Sequence, residues 1–269
     1  MISQPAENAG QDIKSCCADF YSSEVAQWLL GDSFHPGGLS LTQHLGTLLE
    51  LGPGDHVLDV ASGNGTSAIE LARQTGCRVT GIDFSEENVS SARRAAWAAE
   101  LGQQVGFISG DAESMPFSSA SFDALICECS FCTFPDQPAA AMEMFRVLKP
   151  GGRVGISDLT LDVALPPELD SVLGTIICVA GAQTANLYAS TLAGAGMEVD
   201  SIENHDGELL QLIEDIRRKL VGATVLARTG HIAIPDVDLD QALATARWAK
   251  QAVATGGLGY TVLVARRPS

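Results

Sequence analysis

Cysteines carry the most reactive chemistry in this 269-residue sequence, and all but Cys77 of the seven fall in three places: Cys16-Cys17, Cys127-Glu128-Cys129-Ser130-Phe131-Cys132, and Cys178. Thiolates are soft nucleophiles and soft metal ligands. Cys129 and Cys132 form a Cys-x-x-Cys pair whose spacing suits zinc or a redox couple, with Cys16, Cys17 and Cys178 as candidates for further ligands. Buried cysteines also serve as small apolar core residues, which is the role expected of Cys77. A second constellation is glycine-rich and acidic: Asp59-Val60-Ala61-Ser62-Gly63-Asn64-Gly65-Thr66, then Asp83-Phe84, then Gly110-Asp111-Ala112. Such a turn between strand and helix lets a ligand approach the backbone and meet a helix N-terminus. An acidic residue ending the next strand can accept both hydrogen bonds of a ribose diol. His35 and His44 have the side chain of a general base for an oxygen or carbon acceptor.

These residues need a scaffold that brings strand ends together. From Asp55 onward short β-branched runs alternate with helical stretches, the pattern of βαβ units feeding a parallel sheet. Strands are expected at 56–60, 78–83, 105–109, 122–127 and 152–158, with crossover helices at 66–75, 86–101 and 137–148. Pro150-Gly151-Gly152 stops the last of these helices. A helix at 186–195, a strand at 198–203 and a final strand at 259–266 follow, with two amphipathic stretches, 208–220 and 240–254, between the last two strands. Near the start an amphipathic helix is expected at 22–30, followed by a loop through Asp32 to Gly38. The predicted organisation is α/β: an N-terminal helical cap over 1–50, a Rossmann-like core over 51–206, a helical insertion over 207–257 and a last core strand over 258–269.

The chain carries 16 Lys and Arg against 33 Asp and Glu, a formal charge of −17. That surface repels nucleic acid and acidic membrane faces and leaves a small-molecule substrate, while the clustered soft thiolates point to a thiophilic metalloid. The odd cysteine count, with no signal-peptide pattern and no apolar run of membrane-spanning length, leads to the expectation of a cytoplasmic protein with reduced thiols.

The order of these motifs closely resembles the class I S-adenosylmethionine-dependent methyltransferases. The resemblance rests on the Asp59 to Thr66 turn, Asp83, the Gly110-Asp111-Ala112 loop, Phe122-Asp123 and Leu148-Lys149-Pro150-Gly151-Gly152, and covers roughly residues 51–158. It implies that Asp59, Ala61, Gly63 and Gly65 line the methionine end of the cofactor. Asp83 and Phe84 would hold ribose and adenine, Asp111 and Ala112 the adenine, and Cys127 would lie beside the sulfonium. Ala61 stands where that superfamily usually has glycine.

The sequence also resembles arsenite methyltransferases: Cys129 ahead of Phe134-Pro135-Asp136, Cys178 ahead of Ala185-Asn186-Leu187-Tyr188, and the Cys16-Cys17 pair match that family's cysteine positions. This implies thiolate-bound trivalent arsenic as substrate, with Cys129 and Cys178 as its ligands, Cys132, Cys16 and Cys17 as further catalytic thiols, and a thiol reductant as co-substrate. The chain departs from that family at Leu30-Gly31-Asp32-Ser33, where a loop cysteine is missing, and at Glu128, where asparagine is common. The alternatives are a methyltransferase acting on carbon, oxygen or sulfur of a small organic molecule, and a non-catalytic thiol-based metal binder.

Overall fold

The computed structural model describes residues 28, 35–166, 179, 181–228 and 238–269. The expected helix at 22–30, apart from Trp28, and the residues Cys16, Cys17 and Cys178 lie outside the described residues. A seven-stranded sheet forms the centre, in the order β3-β2-β1-β4-β5-β7-β6. Its strands are β1 (His56–Val60), β2 (Arg78–Asp83), β3 (Val105–Ser109), β4 (Phe122–Glu128), β5 (Leu148–Leu161), β6 (Glu198–Asn204) and β7 (Leu258–Arg266). The helices are α1 (Gly38–Leu48), α2 (Thr66–Thr75), α3 (Glu86–Ala98), α4 (Gln137–Val147), α5 (Ala185–Gly194), α6 (Asp206–Arg228) and α7 (Leu239–Ala254).

β1 is paired in parallel with both β2 and β4, which covers it on both edges, and Val57, Leu58 and Val60 are fully buried. Strands buried on both faces read as continuous apolar runs, as this one does. Three of the crossover and edge helices, α3, α4 and α5, start where a side chain satisfies an exposed N–H group. The Ser85 hydroxyl accepts the Asn88 N–H at the start of α3, Asp136 accepts the Ala139 N–H at α4, and Thr184 accepts the Leu187 N–H at α5.

The parallel expectation holds for β1 to β5 but not for the last strand. β7 runs antiparallel between β5 and β6, in continuous register from Arg153↔Arg266 to Leu161↔Leu258. Pairing with β7 carries the end of β5 from the expected 158 to Leu161, and pairing of Leu148 with Phe122 of β4 carries its start back from 152. α1 was not expected. It buries Leu41 and Leu45 against the sheet, with Leu45 filling the space above Gly155, where a Cβ would come within 2.4 Å of its side chain. Among the described residues, no helix is long and apolar enough to cross a membrane.

Candidate active site

The sheet order reverses between β1 and β4, since the chain leaves β1 toward β2 and β3 and returns to β4 on the other side. Open α/β sheets bind ligands in the crevice beyond the strand C-termini at such a switch point. A cavity opens there, walled by the end of β1 with its turn (Asp59, Ala61 to Asn64), the end of β2 (Ile82 to Phe84), the loop after β3 (Gly110 to Ala112) and the segment Glu128 to Ser130. His35, ahead of α1, also contributes to the wall.

The β1 turn is held from the neighbouring strand. The Gly63 N–H donates to Asp83 Oδ2 at 2.8 Å, the Ser85 N–H donates to Asp83 Oδ1 at 2.9 Å, and the Ser62 N–H donates to Ile82 O at 3.0 Å. Ala61 adopts φ 59°, the left-handed region usual for glycine. A small residue with a Cβ is therefore accommodated there at a conformational cost. Burial pushes the Asp83 carboxyl up, against the hydrogen bonds from Ser85, Gly63 and Asn88 that pull it down. Asp59 is more extreme. Burial raises its carboxyl well above the usual range, and the neighbouring Glu128 and Asp83 add to that rise.

Asp59, Ala61, Gly63, Asp83, Phe84, Asp111, Ala112 and Cys129 are brought together in the wall. Two residues expected at the cofactor depart from it. Cys127 is fully buried within β4, paired with Ile156 and with its thiol 3.1 Å from Ser130 Oγ, so it does not flank the cavity. β4 runs one residue further than expected, and the strand rim begins at Glu128. Gly65 caps the N-terminus of α2 at φ 81°, and a Cβ there would meet Phe107 Cζ at 2.5 Å and Ala92 at 2.9 Å. It is a close-packing glycine beneath the turn and not part of the wall.

Among the thiols, Cys129 is half-buried and in the wall, with φ 51° and its N–H donating to Ser157 O at 2.7 Å. Cys132, by contrast, is buried in a 3₁₀ turn (Phe131–Thr133) outside the wall, its N–H bonded to Asp158 Oδ2. Phe131 is buried against Tyr188 and Phe134 as a core residue.

Sequence reasoning missed the cluster that closes one end of the cavity. Thr42 on α1 donates to the Glu128 carboxylate at 3.0 Å, and lies 3.3 Å from His35 Nε2. His35 Nε2 is 3.6 Å from Glu128 Oε2, and both side chains are buried, at 6% and 4% exposure. The apolar spacing Leu41, Leu45, Leu48, Leu49 is a helical stripe that marks α1 and so fixes which face Thr42 shares with the sheet. Nothing local to Glu128 signals its partner 86 residues away.

Among the described residues the wall carries four carboxylates, Asp59, Asp83, Asp111 and Glu128, and neither lysine nor arginine. Asp59 Oδ2 and Ser62 Oγ, both buried, have no hydrogen-bond partner among the described residues. A buried unpaired acceptor is costly and marks a place where a ligand donor belongs. Gly63 faces open space, with nothing within 4 Å of where a Cβ would stand. These features fit S-adenosylmethionine, whose net positive charge, ammonium donors and ribose diol match an acidic, acceptor-rich wall. Asp59 with Ser62 and Gly63 would hold its methionine end, and Asp83, Phe84, Asp111 and Ala112 its adenosine.

Residues 51–196 match the family described as "Methyltransferase domain". The chain is 34% identical to the 27-O-demethylrifamycin SV methyltransferase of Amycolatopsis mediterranei, over 61% of this chain and 61% of that protein. It is 33% identical to the arsenite methyltransferase of Halobacterium salinarum, over 82% of this chain and 61% of that protein. The chain thus spans about three fifths of the length of both relatives. In fold it superposes on the [4+2]-cyclase SpnF with a TM-score of 0.76 at 22% identity, over 100% of this chain and 98% of that one. The turn between β1 and α2, the acidic end of β2 and the matched residues agree: this chain belongs to the methyltransferase-domain family, the class I S-adenosylmethionine-dependent methyltransferases.

Proposed function

We propose that this protein methylates an acidic hydroxyl, a phenol or enol, on a small organic molecule, with His35 as the general base. The observation that carries this reading is the buried His35–Thr42–Glu128 cluster, of which His35 and Glu128 line the cavity. When bound, S-adenosylmethionine supplies an electrophilic methyl carbon on a sulfonium.

His35 Nδ1 lies 3.1 Å from Pro36 O, which only accepts, so in the neutral ring Nδ1 holds the proton and Nε2 presents its lone pair. A proton taken from the acceptor hydroxyl onto Nε2 makes an imidazolium 3.6 Å from the Glu128 carboxylate. The buried carboxylate, on the same side of the ring, is a counter-charge that stabilises that imidazolium. Thr42 donates to Glu128 and fixes the carboxylate's position. A histidine base matches a phenol or enol better than an aliphatic alcohol, whose proton is far harder to remove. The acidic wall favours a neutral acceptor over an anionic one. The Amycolatopsis relative, named for a 27-O-demethylrifamycin, supports an oxygen acceptor.

A second reading, methyl transfer to thiolate-bound trivalent arsenic with a thiol reductant as co-substrate, is favoured by one specific observation. The Cys129 thiol belongs to a residue of the cavity wall, and the Halobacterium relative is named for arsenite. In that reading Cys129 and Cys178 displace hydroxyls from As(III), Cys132, Cys16 and Cys17 are reserve thiols, and the nucleophile is the arsenic lone pair, for which no base is needed.

The experiment sets the two against each other. The protein is incubated with S-adenosylmethionine and either a panel of phenols and enols or arsenite plus a thiol reductant, and products are read by mass spectrometry. Wild type and Cys129→Ser methylating an organic hydroxyl, with His35→Gln slow, supports the first reading. Methylated arsenic that vanishes in Cys129→Ser, with His35→Gln unaffected, replaces it with the second. Cofactor binding without turnover on either panel counts against both and favours the non-catalytic alternative.

A further inference from the structure

His44 on α1, Glu203 near the end of β6 and His205 just beyond it converge away from the active-site cavity. Their ligand atoms all lie within 4.8 Å of one another. His44 Nε2 is 2.7 Å from Glu203 Oε2, and His205 Nε2 is 3.3 Å from the same oxygen. The two imidazole rings are tilted at 53° with centroids 5.7 Å apart, so both nitrogens face one point without stacking.

The position is braced on the sheet side. The His205 N–H donates to Tyr260 O at 2.8 Å, and Thr261 Oγ1 donates to Glu203 O at 2.9 Å, so β7 fixes both β6 ligands. His205 Nδ1 faces Glu208 Oε1 at 3.3 Å, from the first turn of α6. His205 therefore has a carboxylate at each ring nitrogen. With a cation at Nε2, Glu208 at Nδ1 becomes the carboxylate that orients a metal-bound imidazole.

We propose that His44, Glu203 and His205 form a site for a divalent transition metal of zinc-like preference, with water in the remaining position on the half-exposed His44 side. Two imidazoles and one carboxylate are borderline ligands that suit zinc, cobalt or nickel and disfavour magnesium and calcium. Bonds of about 2.0–2.1 Å in a tetrahedral site put ligand atoms a little over 3 Å apart, so His205 and Glu203 at 3.3 Å already fit, and His44 and Glu203 at 2.7 Å need to part slightly to admit the ion. The two carboxylates of the cluster, Glu203 and Glu208, in a chain of formal charge −17, favour a cation further.

The ion would have a structural consequence at the reaction centre. His44 lies on the same helix as Thr42, which bonds Glu128, and Glu208 Cγ is 3.2 Å from where a Gly37 Cβ would stand, beside His35-Pro36. A metal bridging α1 to β6 would clamp the element that carries the His35–Thr42 side of the cavity to the far edge of the sheet.

The test uses the whole, metal-stripped, reduced protein titrated with Co²⁺ and followed by visible absorption, with Zn²⁺ competition and thermal denaturation as second readouts. The expected result is one equivalent bound, with d–d bands and no thiolate-to-cobalt charge transfer, and a rise in Tm with Zn²⁺ that Mg²⁺ does not reproduce. His44→Ala and Glu203→Gln are each expected to weaken Co²⁺ binding by about 100-fold or more, and Glu208→Gln by about 10-fold. His44 is half-exposed, so its variant is expected to keep the circular dichroism of the metal-free parent. Undiminished Co²⁺ affinity in His44→Ala overturns the proposal. So does a spectrum dominated by thiolate charge transfer, which would assign the metal to the cysteines, and so does a Zn²⁺ response no larger than that to Mg²⁺.

Discussion

His35 Nε2 lies 3.6 Å from Glu128 Oε2, with the Thr42 hydroxyl within hydrogen-bonding distance of both. A positioned base contributes about 10²- to 10⁴-fold to proton-transfer catalysis. His35→Gln should therefore lower kcat by about that factor on a hydroxyl acceptor, with little change in S-adenosylmethionine affinity. Thr42→Val should lower kcat less, about tenfold, because it removes only the group that positions Glu128. Steady-state kinetics with calorimetric cofactor binding separates the two effects, and a loss confined to cofactor affinity would rule out the base assignment.

Asp59 links cofactor binding to pH. Burial first, then Glu128 and Asp83, raise its carboxyl well above the ordinary value in the cofactor-free protein. The folded chain then binds a proton at Asp59 more tightly than the unfolded chain, so stability falls as pH rises from the unfolded value, about 3.9, through the raised folded one. A cationic ligand favours the ionised form, so binding releases a proton and affinity grows with pH across the same window. Calorimetry in buffers of different ionisation enthalpy should show that release in wild type and not in Asp59→Asn, which should also be the more heat-stable cofactor-free protein at pH 8. Equal proton release in both proteins would remove Asp59 from the linkage.

Asp83 accepts N–H bonds from Gly63 and Ser85 and one from the Asn88 side chain at 3.3 Å. Removing a buried acceptor leaves its donors unpaired, at about 1–3 kcal/mol each. Asp83→Ala is expected to cost about 2–4 kcal/mol in urea unfolding and to weaken S-adenosylmethionine binding at least tenfold. Asp83→Asn, which keeps one acceptor, should lose less of both. Unchanged cofactor affinity in the alanine variant would mean that the ribose diol is held elsewhere.

Gly65 and Ala61 sit four residues apart and should respond to substitution in opposite directions. Gly65→Ala pushes a methyl into Phe107 and Ala92 at a left-handed φ, for an expected loss of about 2–5 kcal/mol. Ala61→Gly relieves a left-handed alanine, worth about 1–2 kcal/mol, against about 0.5–1 kcal/mol of added backbone entropy in the unfolded chain. The net is a slight gain or no change. Thermal denaturation checks both, and a strongly destabilised Ala61→Gly would contradict the strain argument.

Much of the scaffold can be read locally. The bounds of β1, β2, β3 and α2 coincide with their expected positions, because Asp55, Gly76-Cys77 and Gly110 punctuate runs that are apolar or helical on their own terms. The acidic and glycine-rich residues proposed for the cofactor were legible for the same reason: each lies at a strand end, and strand ends in such a sheet share one rim. The thiols were less legible. Cys127, Cys129 and Cys132 look like one cluster in the sequence, yet Cys127 is within the strand, Cys129 in the wall and Cys132 in the core beneath. A change from strand to left-handed residue to 3₁₀ turn within six residues turns neighbouring side chains in different directions.

By itself the sequence determined the alternating strands and helices, the acidic rim and the family, because these depend on residues close together along the chain. Only the tertiary structure decided that β7 inserts antiparallel between β5 and β6, that Glu128 meets Thr42 and His35, and that His44 meets Glu203 and His205. Those pairings join residues separated by about 60 to 160 positions, and the sheet order sets them through burial of faces that no local pattern specifies.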